Sequence, residues 1–119
     1  DEDTGMERPM TSSGVATVTV NELRQMLSRA NPPLLLDVRE PDEWQFCRIE
    51  CAQLLPMSQI EQRVAELDPT RETVLYCHLG VRSQTVAEFL MSKGFSRVAS
   101  LAGGIDAWAV YVDPTVTRY

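Results

Sequence analysis

The chain has 119 residues, an apolar fraction of 44% and a formal net charge of −6, which suits one domain built around one hydrophobic core and argues against two. Four of its 17 acidic residues lie within residues 1–7, so the remainder is close to neutral and contains no run of basic residues. This charge distribution gives no electrostatic basis for binding nucleic acid or an anionic membrane. We therefore expect a protein or small-molecule partner.

Residues 1–14 are charged, contain Gly, Ser and Thr, and lack hydrophobic periodicity. We expect them to be a disordered lead or an interdomain linker ahead of a folded domain at 15–119. The acidic N-terminus differs from a signal peptide, and no apolar run is long enough to span a membrane. The three cysteines are an odd number without C-x-x-C pairs, which predicts neither a disulfide framework nor a zinc site. A cytoplasmic location is the expectation that follows.

The first half of the domain begins with a predicted strand at 15–20, and Asn21 is the predicted N-cap of the next helix. That helix has an apolar face formed by Leu23, Met26, Leu27 and Ala30. The continuous apolar run at 34–38 is typical of a strand buried on both faces of a parallel sheet. Pro41 then marks the start of a short helical turn.

The second half continues the alternation of strands and helices. A strand is predicted at 52–55, and Ser58 with Glu61 has the spacing of a capping box for the following helix. The remaining predicted elements are a strand at 73–77, a helix near 83–92, a strand near 97–101 and a last helix containing Trp108. This order predicts an α/β fold, with a mostly parallel central sheet flanked by helices on both faces. In such a fold the ligand site lies at the carboxyl ends of the strands.

The segment CHLGVRS at 77–83 carries the strongest chemical signal, because it joins a predicted strand to a predicted helix. Successive backbone N–H groups in such a loop form an anion-binding site, and Gly80 permits the sharp turn. Cys77 is therefore a candidate nucleophile, with Arg82 as a cation at the far end of the loop. The pattern alone fits equally well a buried cysteine that serves only as a small hydrophobic side chain.

This segment resembles the active-site loop of the rhodanese family, in which Cys-x-x-Gly-x-Arg surrounds a cysteine that accepts and donates sulfane sulfur. LLLDVREPDEW at 34–44 and LAGGIDAW at 101–108 are similar to two further motifs of the family. The resemblance implies a rhodanese-like sulfurtransferase with Cys77 as the catalytic residue, which holds sulfur as a persulfide and needs no metal or organic cofactor. It implies that the rest of the loop binds the substrate: His78, Leu79, Gly80, Val81, Arg82 and Ser83.

Residues near this loop are expected to have supporting roles. Asp37 and Arg39 follow a neighbouring strand and should brace loops by hydrogen bonds. His78 has no evident orienting acid, so we do not expect it to act as a general base. Cys47 and Cys51 lie in CRIECA, where many family members have Gly-His-Ile-Pro-Gly-Ala, and we expect buried or incidental thiols there. The two tryptophans are expected in the core: Trp44 and Trp108.

The tail AWAVYVDPTVTRY resembles the end of rhodanese-like domains that follow an adenylyltransferase domain. The resemblance implies a sulfur relay that receives sulfur from thiosulfate or a cysteine desulfurase persulfide and gives it to a small ubiquitin-like carrier in molybdopterin or thiamine biosynthesis. Residues 1–14 would then be the linker from a fused adenylyltransferase domain.

Two alternatives to the relay remain open. One is a free-standing thiosulfate:cyanide sulfurtransferase. The other is a non-catalytic binding or redox-sensing module, in which Cys77 is only an oxidisable thiol. A phosphatase is disfavoured, because the related phosphatases have a Cys-x5-Arg loop and this chain has Cys-x4-Arg.

Overall fold

Five parallel strands form the central sheet in the computed structural model, which describes residues 9–11 and 14–119. The strands in chain order are β1 (Ala16–Val18), β2 (Leu34–Asp37), β3 (Gln53–Leu54), β4 (Thr73–Tyr76) and β5 (Val98–Leu101). Their order across the sheet is β1-β5-β4-β2-β3, and every neighbouring pair is parallel. The predicted α/β fold with a parallel sheet is confirmed.

Helices connect the strands, as parallel pairing requires. Within the described ranges they are α1 (Val20–Leu27), α2 (Pro41–Phe46), α3 (Ile60–Arg63), α4 (Val81–Ser92) and α5 (Gly104–Tyr111). Two short 3-10 turns, Met57–Gln59 and Val64–Glu66, flank α3. No helix of the described residues is both long and apolar enough to cross a membrane.

The core has two parts because the side chains of a strand alternate between the faces of the sheet. Leu36 and Leu75 pack on one face with Leu90 of α4, whereas Leu35 and Val74 pack on the other face with residues of α1 and α5. All four residues of β2 and all four of β4 are buried. Burial on both faces explains the continuous apolar runs seen in the sequence.

Two predicted helix caps are wrong. Thr19 caps α1 in place of Asn21: its Oγ1 accepts from the Glu22 N–H at 3.1 Å, and Glu22 Oε1 accepts from the Thr19 N–H at 2.7 Å. Ser58 forms no capping box with Glu61, because its hydroxyl donates to Glu40 Oε1 at 2.7 Å. In the first case a better cap lay two residues earlier, and in the second a distant carboxylate captured the hydroxyl.

Residues 9–11 of the expected lead run beside β1. Met10 and Ala16 form an antiparallel bridge, and the Thr17 N–H donates to the Pro9 carbonyl at 2.9 Å. Gly14 is also described, whereas residues 1–8 and 12–13 of the lead lie outside the described residues. The assignment of residues 1–14 as a linker stays a prediction.

Candidate active site

Cys77 directly follows β4 at the carboxyl edge of the sheet, and only 1% of the residue is exposed. Its Sγ accepts hydrogen bonds from the Gly80 N–H at 3.1 Å and the Ser83 N–H at 3.4 Å. The Ser83 hydroxyl lies 3.5 Å from the same sulfur. Two N–H groups that converge on one atom stabilise negative charge there, so the loop is built to hold an anionic sulfur.

Gly80 gives the loop its shape. It is the N-cap residue of α4 and has a φ of +114°, a left-handed conformation that side chains rarely adopt. This turn aims the Gly80 N–H back at the sulfur and starts α4 immediately afterwards, at Val81. The turn that the sequence predicts at Gly80 is therefore present, and its role in anion binding stays a prediction.

A pair of buried serines anchors the loop to the neighbouring strand. The hydroxyls of Ser83 and Ser100 lie 2.6 Å apart, and the Ser83 hydroxyl also donates to the Gly80 carbonyl at 3.2 Å. Both serines are at most 1% exposed. The sequence analysis missed Ser100, for which the available signal was one polar residue inside the apolar strand β5.

The double glycine before α5 allows that helix to dock against the loop. The N–H groups of Ile105 and Asp106 donate to the carbonyls of Cys77 and His78, at 2.9 and 3.2 Å. A Cβ on Gly104 would come within 2.5 Å of the Cys77 carbonyl oxygen. Only a glycine permits this approach, which explains the second glycine of the LAGGIDAW motif.

Arg82 forms a two-pronged ion pair with Glu43 of α2. Its two terminal nitrogens lie 2.7 and 2.9 Å from the two carboxylate oxygens. The hydrogen bonds from Arg82 lower the pKa of Glu43 to about 2, and those to Glu43 raise the pKa of Arg82. Arg82 therefore stands at the end of the loop as a paired cation, and the sequence analysis missed its partner Glu43, whose only signal was its place in the family-like segment 34–44.

A second ion pair lies deeper, between Asp37 and Arg39. Both side chains are fully buried, and Arg39 donates to both Asp37 oxygens, the shortest contact being 2.6 Å. Arg39 also donates to the Cys47 carbonyl at 2.6 Å and to the Tyr119 hydroxyl at 3.0 Å. These bonds fasten the end of α2 and the C-terminal tail to the end of β2.

Tyr119 joins the two ion pairs and covers His78. Its hydroxyl donates to Glu43 Oε2 at 2.6 Å, and its ring stacks on the imidazole with 3.9 Å between centroids and 9° between planes. Burial and the Glu43 carboxylate raise the pKa of Tyr119 to about 12, which keeps the hydroxyl protonated as a donor. The Nε2 atom of His78 is buried and has no hydrogen-bond partner among the described residues.

Two apolar residues of the loop lie outside this network. Leu79 and Val81 are 59% and 74% exposed, so they form an apolar rim around the loop. Cys47 is half-buried and Cys51 is exposed, so of the two expected alternatives, a buried or an incidental thiol, Cys51 is not the buried one.

Of the two tryptophans, Trp108 is a core residue as predicted. Trp44 is only half-buried, and the guanidinium carbon of Arg48 lies over its ring, 4.7 Å from the ring centroid. Within the described ranges, no group of three or more His, Cys, Asp or Glu side chains is placed to hold a metal ion.

A parallel α/β sheet that presents a buried cysteine on a strand-to-helix loop of N–H donors is the arrangement that the rhodanese resemblance implied. The model of the rhodanese-like domain matches residues 19–110, and the chain belongs to that family. The resemblance drawn from the sequence motifs is thereby confirmed.

Similar proteins with assigned names agree with this family assignment. The probable adenylyltransferase/sulfurtransferase MoeZ of Mycobacterium tuberculosis is 41% identical over 87% of this chain, which spans only 27% of MoeZ. A sulfurtransferase of Allochromatium vinosum is 38% identical, over 86% of this chain and 95% of that protein. The crystal structure of a rhodanese-like domain protein from Staphylococcus aureus matches with a TM-score of 0.75 and 28% identity, over 87% of this chain and 97% of that one.

Proposed function

We propose that this protein is a sulfurtransferase that carries sulfane sulfur as a persulfide on Cys77. The observation that carries the proposal is the pair of N–H groups, from Gly80 and Ser83, that point at the Cys77 sulfur. The names of its sulfurtransferase relatives support the same chemistry.

The reaction has two displacement steps. The Cys77 thiolate attacks the outer sulfur of the donor, the bond between that sulfur and the leaving group breaks, and the leaving group departs with the electron pair. The product is a Cys77 persulfide whose charge the Gly80 and Ser83 N–H groups can stabilise. A nucleophilic acceptor then attacks the outer sulfur, and Cys77 leaves as a thiolate.

The acceptor that we propose is a small sulfur-carrier protein in molybdopterin or thiamine biosynthesis, with the sulfur supplied by thiosulfate or a cysteine desulfurase persulfide. The similarity to MoeZ and to the maize adenylyltransferase and sulfurtransferase MOCS3-2, which is 30% identical, supports this proposal. The exposed Leu79 and Val81 beside the loop would give a protein acceptor an apolar surface to contact. A reducing compartment such as the cytoplasm would keep the thiol available.

A free-standing thiosulfate sulfurtransferase is the second candidate. It is favoured by the similarity to the Allochromatium vinosum sulfurtransferase, because this chain covers 95% of that protein's length. The two candidates share the first step and differ in the acceptor. Steady-state turnover separates them: a relay requires a carrier protein as the acceptor, whereas a free-standing enzyme turns over with cyanide alone.

Mass spectrometry of the intact protein tests the shared step. After brief exposure to thiosulfate or to a loaded cysteine desulfurase, the wild type should gain one sulfur, about 32 Da, that cyanide removes. Cys77→Ala should gain none. The matched control is the double variant Cys47→Ala/Cys51→Ala, which keeps Cys77 and should gain sulfur like the wild type. Loss of the gain in the control but not in Cys77→Ala would refute Cys77 as the carrier.

A further inference from the structure

The charges that border the Cys77 loop cancel. Arg82, the only cation within residues 77–83, is held by both oxygens of Glu43. On the helix docked against the loop, Asp106 is paired with Arg118, with 2.9 Å between Nε and Oδ1. Both pairs are net neutral, so neither offers an unpaired positive charge to an incoming anion.

The neutralisation of Arg82 is a fixed feature of the site, because Glu43 is held from three sides. Besides Arg82, its carboxylate accepts from the Tyr119 hydroxyl at 2.6 Å and from the Glu40 N–H at 3.1 Å. The side chain is 18% exposed. These bonds lower the pKa of Glu43 to about 2, with Arg82 as the largest cause, so the carboxylate stays ionised near neutral pH.

Arg82 is nonetheless close enough to affect the reacting sulfur. It directly precedes Ser83 in the loop, and the Ser83 N–H donates to Cys77 Sγ at 3.4 Å. An unpaired guanidinium at this position would attract a second negative charge on a sulfur donor. Paired with Glu43, it provides almost none of that attraction.

We infer that Glu43 sets the charge selectivity of the donor site: by occupying Arg82, it disfavours dianionic sulfane-sulfur donors relative to donors that carry one negative charge. This inference rests on the proposed function, since it concerns donors to Cys77. Glu43 would act through Arg82 and would touch neither donor nor sulfur, so it is a positioning residue for selectivity. Removal of the Glu43 charge should leave Arg82 unpaired and so increase the rate with dianionic donors.

Two probes with the same sulfur chemistry and different charge isolate this effect. Thiosulfate carries two negative charges, and the methanethiosulfonate anion, CH3SO2S−, carries one. In each case the Cys77 thiolate attacks the terminal sulfur and the sulfur–sulfur bond of the donor breaks. Sulfite leaves from thiosulfate and methanesulfinate from methanethiosulfonate, and the same Cys77 persulfide forms with charge conserved.

The test is the ratio of kcat/KM for thiosulfate to kcat/KM for methanethiosulfonate, with persulfide formation followed by mass at low ionic strength. Glu43→Gln should raise this ratio about five- to tenfold, as expected for one unit charge released some distance from the donor. Arg82→Gln should lower it, because it leaves the Glu43 charge unpaired. Intrinsic differences between the donors cancel when variants are compared by this ratio.

The control variant is Glu66→Gln, which removes the same charge from an exposed pair with Arg63 on the α3 segment. Its ratio should equal that of the wild type. Tyr119→Phe, which leaves both members of the Glu43–Arg82 pair in place, should also keep the wild-type ratio. These controls separate a local charge effect from a change in net charge or in the hydrogen-bond network.

The inference is overturned if Glu43→Gln leaves the ratio unchanged, or if Glu43→Gln and Arg82→Gln move it in the same direction. If Glu43→Gln fails to fold by circular dichroism, Glu43→Ala takes its place: a higher ratio supports the inference and an unchanged ratio refutes it. If the wild type takes sulfur from neither donor, the proposed function itself is refuted. If it takes sulfur from both donors and the ratio is the same in Glu43→Gln, Arg82→Gln and the wild type, only the inference about charge selectivity is refuted.

Discussion

Two arginine–carboxylate pairs flank the candidate active site, and they differ in depth. Asp37 and Arg39 are both fully buried, whereas Glu43 and Arg82 have side-chain exposures of 18% and 34%. Tyr119 connects them, because its hydroxyl accepts from Arg39 and donates to Glu43. The deep pair holds chain segments together, and the shallow pair controls the charge that the loop presents.

The difference follows from solvation. A buried charge that loses its partner cannot recover hydration, so the cost of breaking a buried pair is large. A pair at the rim recovers much of its hydration and is weakened by screening. Substitutions in the deep pair should therefore lower stability most, while those in the shallow pair should change donor preference with a smaller stability effect.

The largest expected effect is that of Arg39→Met. It leaves the Asp37 charge buried without its partner and removes the donors to the Cys47 carbonyl and the Tyr119 hydroxyl. The free energy of unfolding should fall by about 3–5 kcal/mol, as measured by urea denaturation. The matched control is Arg63→Met, which breaks an exposed, solvent-screened pair with Glu66 and should leave the free energy of unfolding close to that of the wild type. Equal losses in the two variants would erase the distinction between deep and shallow pairs.

An intermediate effect is expected from acid. The pKa of Glu43 falls from 4.5 to about 2 on folding, so its contribution is full above pH 4.5 and is lost as the pH falls towards 2. Because Arg82 is one-third exposed, we expect about 1–2 kcal/mol from this group. Unfolding free energies at pH 7, 4 and 3 should show a smaller acid-induced loss in Glu43→Gln than in the wild type. Parallel pH profiles for the two proteins would contradict the prediction.

The smallest expected effect is that of Tyr119→Phe, which removes the hydroxyl between the pairs and keeps the ring. The tyrosine is 44% exposed, so water can replace part of the lost bonding and the expected loss is about 1 kcal/mol. Thermal unfolding of Tyr119→Phe should be compared with that of Tyr111→Phe, because Tyr111 is 73% exposed and its hydroxyl should contribute less. A loss above about 3 kcal/mol would mean that the two pairs act as one cooperative network.

A second comparison concerns the three cysteines. Cys77 is held by two N–H groups in a loop shaped by glycines, whereas Cys51 is exposed and Cys47 is half-buried. The environment of the sulfur, and not exposure, distinguishes the candidate nucleophile. For this reason the variant that lacks both other cysteines is the appropriate control for persulfide formation.

The sequence determined by itself the features that depend on neighbouring residues. The apolar runs at 34–38 and 73–77 marked β2 and β4, and the cysteine, glycine and arginine spacing at 77–82 marked the loop that holds the sulfur. The cap of α1 was misassigned because two polar residues competed within three positions, Thr19 and Asn21. Such errors are local and small.

The tertiary structure decided which distant side chains meet. Glu43 and Arg82 are 39 positions apart, Arg39 and Tyr119 are 80 apart, and Ser83 and Ser100 are 17 apart. Their encounters depend on the strand order β1-β5-β4-β2-β3, which brings the ends of β2, β4 and β5 to one edge. No local pattern encodes that order. The sequence therefore indicated the candidate cysteine and its loop, while the charge around them was decided by the packing of α2 and the C-terminal tail against that edge.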